Sequence, residues 1–115
     1  MPTIALALPI ALGETDTFRG AHQRFAVNRR LEFEESRRRL GVRSERGFVQ
    51  RTPSGDVAIV VFEVDDPGRM LAGVAESNAP LDVEFRSYLR QAFGLDASRP
   101  PPSPPAELVF DWTSS

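Results

Sequence analysis

The sequence predicts an α+β domain in which helices cover one antiparallel sheet, with elements in the order βαββ(α)αβ. Three observations carry this. An apolar run opens the chain and gives way to a long, charged, proline-free stretch ending at Gly41. Two strand-like runs flank Pro53-Ser54-Gly55-Asp56, and an alternating segment, Leu108, Phe110, Trp112, closes the chain after more helix-like sequence. Each of these elements has one apolar face to bury, and two packed layers are the simplest way to bury them all.

Residues 3–12 place Ile4, Leu6, Leu8 and Ile10 on one face and Ala5, Ala7 and Pro9 on the other. Both faces are apolar, as in a strand covered on both sides, while Pro9 and the small side chains place it near an edge. Gly13 breaks the strand, and Thr15 or Asp16 serves as the next N-cap. From about residue 16 to residue 40 the only helix breaker is Gly20, so the spacing predicts a helix of roughly six to seven turns. Its Phe18, Phe25, Phe33 and Leu40 share one side and should pack on the sheet.

Residues 45–52 and 57–64 read as strands joined by a tight turn. Val57, Ala58, Ile59, Val60, Val61 and Phe62 leave no polar face, so the third strand should be central and need cover on both sides. One layer is the domain's own helices; the other face calls for a partner, and a charge at Val60 is expected to disturb it. Asp65-Asp66-Pro67 supplies a cap and a first-turn proline for a short helix ending near Glu76. Ser77-Asn78-Ala79-Pro80 interrupts it, and residues 81–93 form the last helix, stopped by Gly94. Residues 99–105 hold five prolines in seven positions, an extended spacer before the final strand. The whole is a ferredoxin-like sandwich with a four-stranded antiparallel sheet, a single domain over residues 1–115.

Composition excludes several chemistries. The 115 residues carry 14 basic and 16 acidic side chains, a formal charge of −2, so no net field draws the chain to nucleic acid or anionic membrane. Every basic residue is Arg, which removes Schiff-base chemistry on Lys, and the absence of Cys removes thiolate nucleophiles, disulfides and zinc–thiolate sites. The first apolar stretch is too short and too proline-interrupted to span a bilayer, so a cytoplasmic location is the expectation.

Within the long helical stretch, His22, Arg29 and Ser36 recur every seven residues with Glu32 beside them. Such groups on an inward face must pair, as Arg29 with Glu32, line a wet cavity, or reach water at a rim. His22 is the sole histidine and the natural general base. Glu63 shares a strand face with Val57, Ile59 and Val61, where it is a candidate buried carboxylate. Tyr88 and Trp112 each join an apolar ring to one polar atom, equipment for orienting an aromatic ligand as well as for ordinary packing. Asp82 is explained by the helix dipole, and Arg37-Arg38-Arg39 by ion pairs with Glu34 and Glu35. No metal-ligand spacing, phosphate loop or nucleophile elbow occurs, so no metal and no cofactor are expected.

The segments Arg29-Arg30-Leu31-Glu32 through Leu40-Gly41, Gln50 through Asp56, Asp65-Asp66-Pro67, Ala79-Pro80-Leu81-Asp82 and Phe93-Gly94-Leu95-Asp96 carry a resemblance. They look like a group of small uncharacterised actinobacterial proteins similar to the dimeric α+β barrel superfamily, which includes antibiotic-biosynthesis monooxygenases, heme-degrading monooxygenases and polyketide cyclases. The resemblance implies a homodimer whose two four-stranded sheets face each other, with a pocket in each subunit, between the long helix and the sheet, for a small apolar or aromatic, polyketide-like molecule. It further implies cofactor-independent monooxygenase or cyclase chemistry, for which the matching residue types are His22 as base and Tyr88 as oxyanion donor; the reading of the residues themselves adds Arg29, Glu32, Ser36, Glu63 and Trp112 as candidate binding residues. A non-catalytic dimeric binding module is the alternative. Heme binding through His22, Asn28 and Trp112 ranks last.

Overall fold

The computed structural model describes residues 2–99 and 104–114. Its sheet holds three antiparallel strands, β1 (Thr3–Pro9), β2 (Val42–Thr52) and β3 (Gly55–Val64), in the order β1-β3-β2. Helices α1 (Thr15–Arg19), α2 (Arg30–Leu40), α3 (Pro67–Glu76) and α4 (Pro80–Phe93) accompany it, with a π-helical segment at His22–Val27. The fold is therefore mixed α+β, and its β-branched third strand is central, as the sequence predicts.

The hairpin register follows from its turn. Thr52 Oγ1 donates to the Gly55 carbonyl at 2.6 Å and accepts from the Ser54 N–H at 3.2 Å, while Gly55 takes φ 129°, outside the reach of a β-carbon. Helix ends obey their residues too. Asp66 accepts from the N–H groups of Gly68 and Arg69 to start α3, and Gly41 and Gly94 adopt left-handed φ of 72° and 66° to stop α2 and α4.

The long helix expected over residues 16–40 is instead three pieces. Asn28 N–H bonds to the Gln23 carbonyl five residues back, and Arg29 leaves helical geometry at φ −127°, ψ 48°. Phe25 lies within the π turn and Phe33 beyond it, and both rings still face the same core. The expected apolar stripe is thus present but divided. Phe18, Phe25 and Phe33 join Leu81, Tyr88 and Ala92 in one core, whereas Leu40 joins Ile4, Val64 and Met70 in another.

Leu40 shows how closely the second core fits. A β-carbon on Gly73 of α3 would collide with its Cδ2, and Leu40 is too buried to swing away. Gly73→Ala is expected to lower stability by about 1–3 kcal/mol despite its better helix propensity, measurable by urea denaturation.

The fourth strand is not formed among the described residues. Residues 104–114 carry no strand, although Ala106 N–H reaches the Ala5 carbonyl at 2.8 Å on the outer edge of β1. Part of the proline spacer, residues 100–103, lies outside the described residues. No helix of the described residues is long and apolar enough to cross a membrane.

Candidate functional site

Pairing decides which side chains share a face. Leu6, Val60 and Gly47 stand opposite one another, as do Ile4, Phe62 and Glu45, and this set lies under the helices. The alternate set, Ala5 with Val61 and Arg46, and Ala7 with Ile59 and Phe48, lies on the other side. There no helix covers it among the described residues: Phe48 is 52% exposed and Ala7 is exposed, while Val57, Ile59 and Val61 are shielded only in part. The β1 and β3 part of this face is mostly apolar and partly open to water, while β2 adds Phe48 together with Ser44, Arg46 and Gln50.

Under the helices sits a buried polar network. Asp82 in the first turn of α4 accepts from Ser36 Oγ at 2.5 Å, Ser77 Oγ at 2.6 Å and Arg39 Nη2 at 2.9 Å. Burial alone would push its carboxyl up, but hydrogen bonds from Ser36, Ser77 and Arg39 and the charge of Arg39 outweigh that and hold it below the ordinary carboxylate range. Arg37 extends the network from Ser36 to β2. Its guanidinium lies over the rings of Phe33 (4.4 Å) and Phe85 (4.6 Å), donates to Ser36 Oγ at 3.1 Å and pairs with Glu45 of β2.

The sequence-predicted residues fall in different places. Ser36 is wholly buried and serves this network. Tyr88 is buried among Phe25, Phe85 and Phe93, with ring centroids 5.4–5.9 Å apart. Burial pushes its phenol up to about 12, so it stays protonated near neutral pH and keeps an O–H to donate. His22 is exposed on the π-helical segment and makes no side-chain hydrogen bond among the described residues. Arg29 and Glu32 pair with each other at 2.6 Å; that bond lowers the Glu32 carboxyl, and Arg29 also reaches Glu84 of α4. Both belong to a surface brace that Arg24 completes by its bond to Glu84 at 3.0 Å.

Glu63 ends the open sheet face opposite Thr3 and Ser44 and is exposed. Trp112 is exposed in the C-terminal segment, and Asn28, the third residue of the heme reading, is exposed and accepts from Gln23. His22 and Tyr88 are therefore not assembled into an acid–base pair within one chain. No group of three or more His, Cys, Asp or Glu side chains among the described residues is placed to hold a metal. A cleft of about 260 Å³ lies elsewhere, between α3, α4 and the loop after it, lined by Ala75, Val83, Arg86, Arg90 and Asp96. There Arg86 is already bonded to the Val74 and Ser77 carbonyls.

Sequence reasoning missed the burial of Arg37 and Asp82. Arg37 sits within a charged run that is otherwise solvated, with Arg30–Glu34 and Arg39–Glu35 pairs at helical spacing. The two phenylalanines that stack on it, one four residues earlier and one on α4, were the available signal. Compared with known proteins, the chain matches no family model, no curated protein and no solved structure.

Proposed function

We propose that the chain acts as a homodimer whose open sheet face packs on that of a second copy, with a small apolar or aromatic molecule held between the sheets. The observation that carries this reading is the uncovered face of Ala5, Ala7, Phe48, Val57, Ile59 and Val61. Surface area supports it. A compact monomer of this mass exposes about 6,200 Å², against 7896 Å² here. The excess is larger than the roughly 800 Å² per partner that a stable interface buries.

The strand order β1-β3-β2 also suits a dimeric α+β barrel, because it leaves the outer edge of β1 for a fourth strand. The binding reading stands ahead of the monooxygenase or cyclase reading because the base and the oxyanion donor proposed for that chemistry, His22 and Tyr88, occupy separate environments. Such chemistry needs both groups within hydrogen-bond reach of one substrate.

Position distinguishes two neighbouring substitutions. Ile59 belongs to the open face and Val60 to the covered one, so Ile59→Asp is expected to leave a folded monomer, whereas Val60→Asp should unfold the chain. Sedimentation velocity at micromolar concentration checks this: a wild-type chain that stays monomeric overturns the proposal. Binding is read separately, as a saturable fluorescence rise of an anilinonaphthalene sulfonate dye that Phe48→Ala weakens.

A further inference from the structure

The C-terminal segment has a place to start but nowhere of its own to go. The chain leaves α4 beside the far end of β1, where Ala11 N–H donates to the Ala92 carbonyl at 2.8 Å, and meets β1 again at Ala5 through Ala106. The two described contacts thus follow one another along β1 in the direction opposite to its own. Ile10 N–H bonds to Asp56, and the Pro2 carbonyl accepts from Val64, so the even residues of β1 turn their backbone toward β3 and the odd ones outward. The Ala5 carbonyl is one of these outward groups.

From Ala106 opposite Ala5, an antiparallel continuation brings Leu108 opposite Thr3, where β1 begins. Val109–Trp112 then overhang the strand. These are the most apolar residues of the segment, and Leu108, Val109, Phe110 and Trp112 are 68–82% exposed. Folding back onto the chain's own sheet would need a reversal at once, yet no Gly or Pro follows Pro105, and the β-branched and aromatic residues there favour extended backbone.

We infer that residues 108–112 form an arm exchanged between copies, docking on the open sheet face of the second chain; this rests on the homodimer proposed above. Apolar surface answers apolar surface, since Leu108, Phe110 and Trp112 would meet Phe48, 52% exposed on the outer strand β2 of the second copy, and leave Ile59 and Val61 of the central strand to the facing sheet. Alternation turns Glu107 and Asp111 to the other side of an extended arm, toward water, so only apolar side chains enter the contact. The surface excess over a compact monomer includes both partners of this contact, the bare face and the bare arm.

Trp112 is the sole tryptophan, so its emission reports the arm in the intact chain. Dilution through the dimer dissociation constant is expected to shift that emission to the red and to raise quenching by acrylamide. Ile59→Asp should show the red, quenchable form at every concentration. Phe110→Asp alters a side chain that is exposed in the single chain and should weaken self-association about tenfold or more with its fold intact. A dimer whose Trp112 stays fully quenchable and whose constant ignores Phe110→Asp overturns the arm but leaves the homodimer standing. Shielding of Trp112 that is independent of concentration means the arm folds onto its own chain and also overturns it. A chain that is monomeric throughout removes both.

Discussion

Asp82→Ala is expected to lower the free energy of unfolding by about 3–5 kcal/mol, because it leaves several buried donors without their acceptor. Ser36 Oγ, fully inaccessible, loses its 2.5 Å bond to the carboxylate, and Ser77 Oγ loses one of 2.6 Å. Ser77 also accepts from the Ala79 N–H, so the turn into α4 loosens with it. Arg39, partly exposed, can rehydrate and contributes the least. Asp82→Asn keeps one acceptor oxygen and should cost less, about 1–2 kcal/mol. Urea denaturation of both variants at neutral pH separates the charge from the geometry.

The same carboxylate sets part of the acid response. Its value is lowered in the folded chain, so on the acid side the unfolded chain binds more protons and stability rises with pH. The contribution is fully present above the unfolded carboxyl value of about 3.9 and is lost as pH falls through the lower folded value. Wild type should therefore lose more stability between neutral pH and pH about 3 than Asp82→Asn does, since the amide does not titrate in that range. Equal losses would mean that the carboxylate is hydrated and not held by Ser36 and Ser77.

What the sequence made legible was whatever depends on near neighbours. The cap at Asp66 with Pro67, the glycine stops at Gly41 and Gly94, the turn at Pro53-Ser54 and the apolar run of β3 are each written within a few residues and stand where expected. The inward set Phe18, Phe25, Phe33 and Leu40 was legible for the same reason. The break at Arg29 was not. Residues 16–40 hold no proline and no second glycine after Gly20, so nothing in their local pattern marks the wider turn at residues 22–28 or the break at Arg29. The seven-residue spacing of His22, Arg29 and Ser36 therefore did not survive as one face. The first is exposed, the second braced at the surface, the third buried. Ser36 with Asp82, 46 positions apart, is a tertiary fact that no local pattern announces. The alternation at Leu108–Trp112 predicts a strand from its own residues, but a strand also needs a paired edge, and among the described residues of the segment only Ala106 N–H bonds to β1.

Arg37→Ala should match the effect of Asp82→Ala, about 3–5 kcal/mol, by a different route. The side chain of Arg37 is 9% exposed, and its guanidinium lies over the rings of Phe33 and Phe85 while it bonds to Glu45 and Ser36. Removal opens a void beside both rings and takes from Glu45 and Ser36 the donor they share. Arg37→Lys keeps the charge but supplies a compact ammonium with no plane to lie over the two rings, so it should recover less than half of the loss. Arg37→Met keeps the volume and gives up the charge; with Glu45 exposed enough to hydrate, it should destabilise less than Ala. Glu45 and its neighbours alternate across β2, with Arg46 and Phe48 on the opposite side. A collapse at Arg37 therefore moves the strand that presents the open face. Arg37→Ala is expected to weaken self-association as well as folding, whereas Arg37→Met should restore the dimer more fully than it restores stability. Sedimentation velocity and urea denaturation on the same four proteins test this; proportional recovery of both quantities across the series would show that β2 transmits nothing to the outer face.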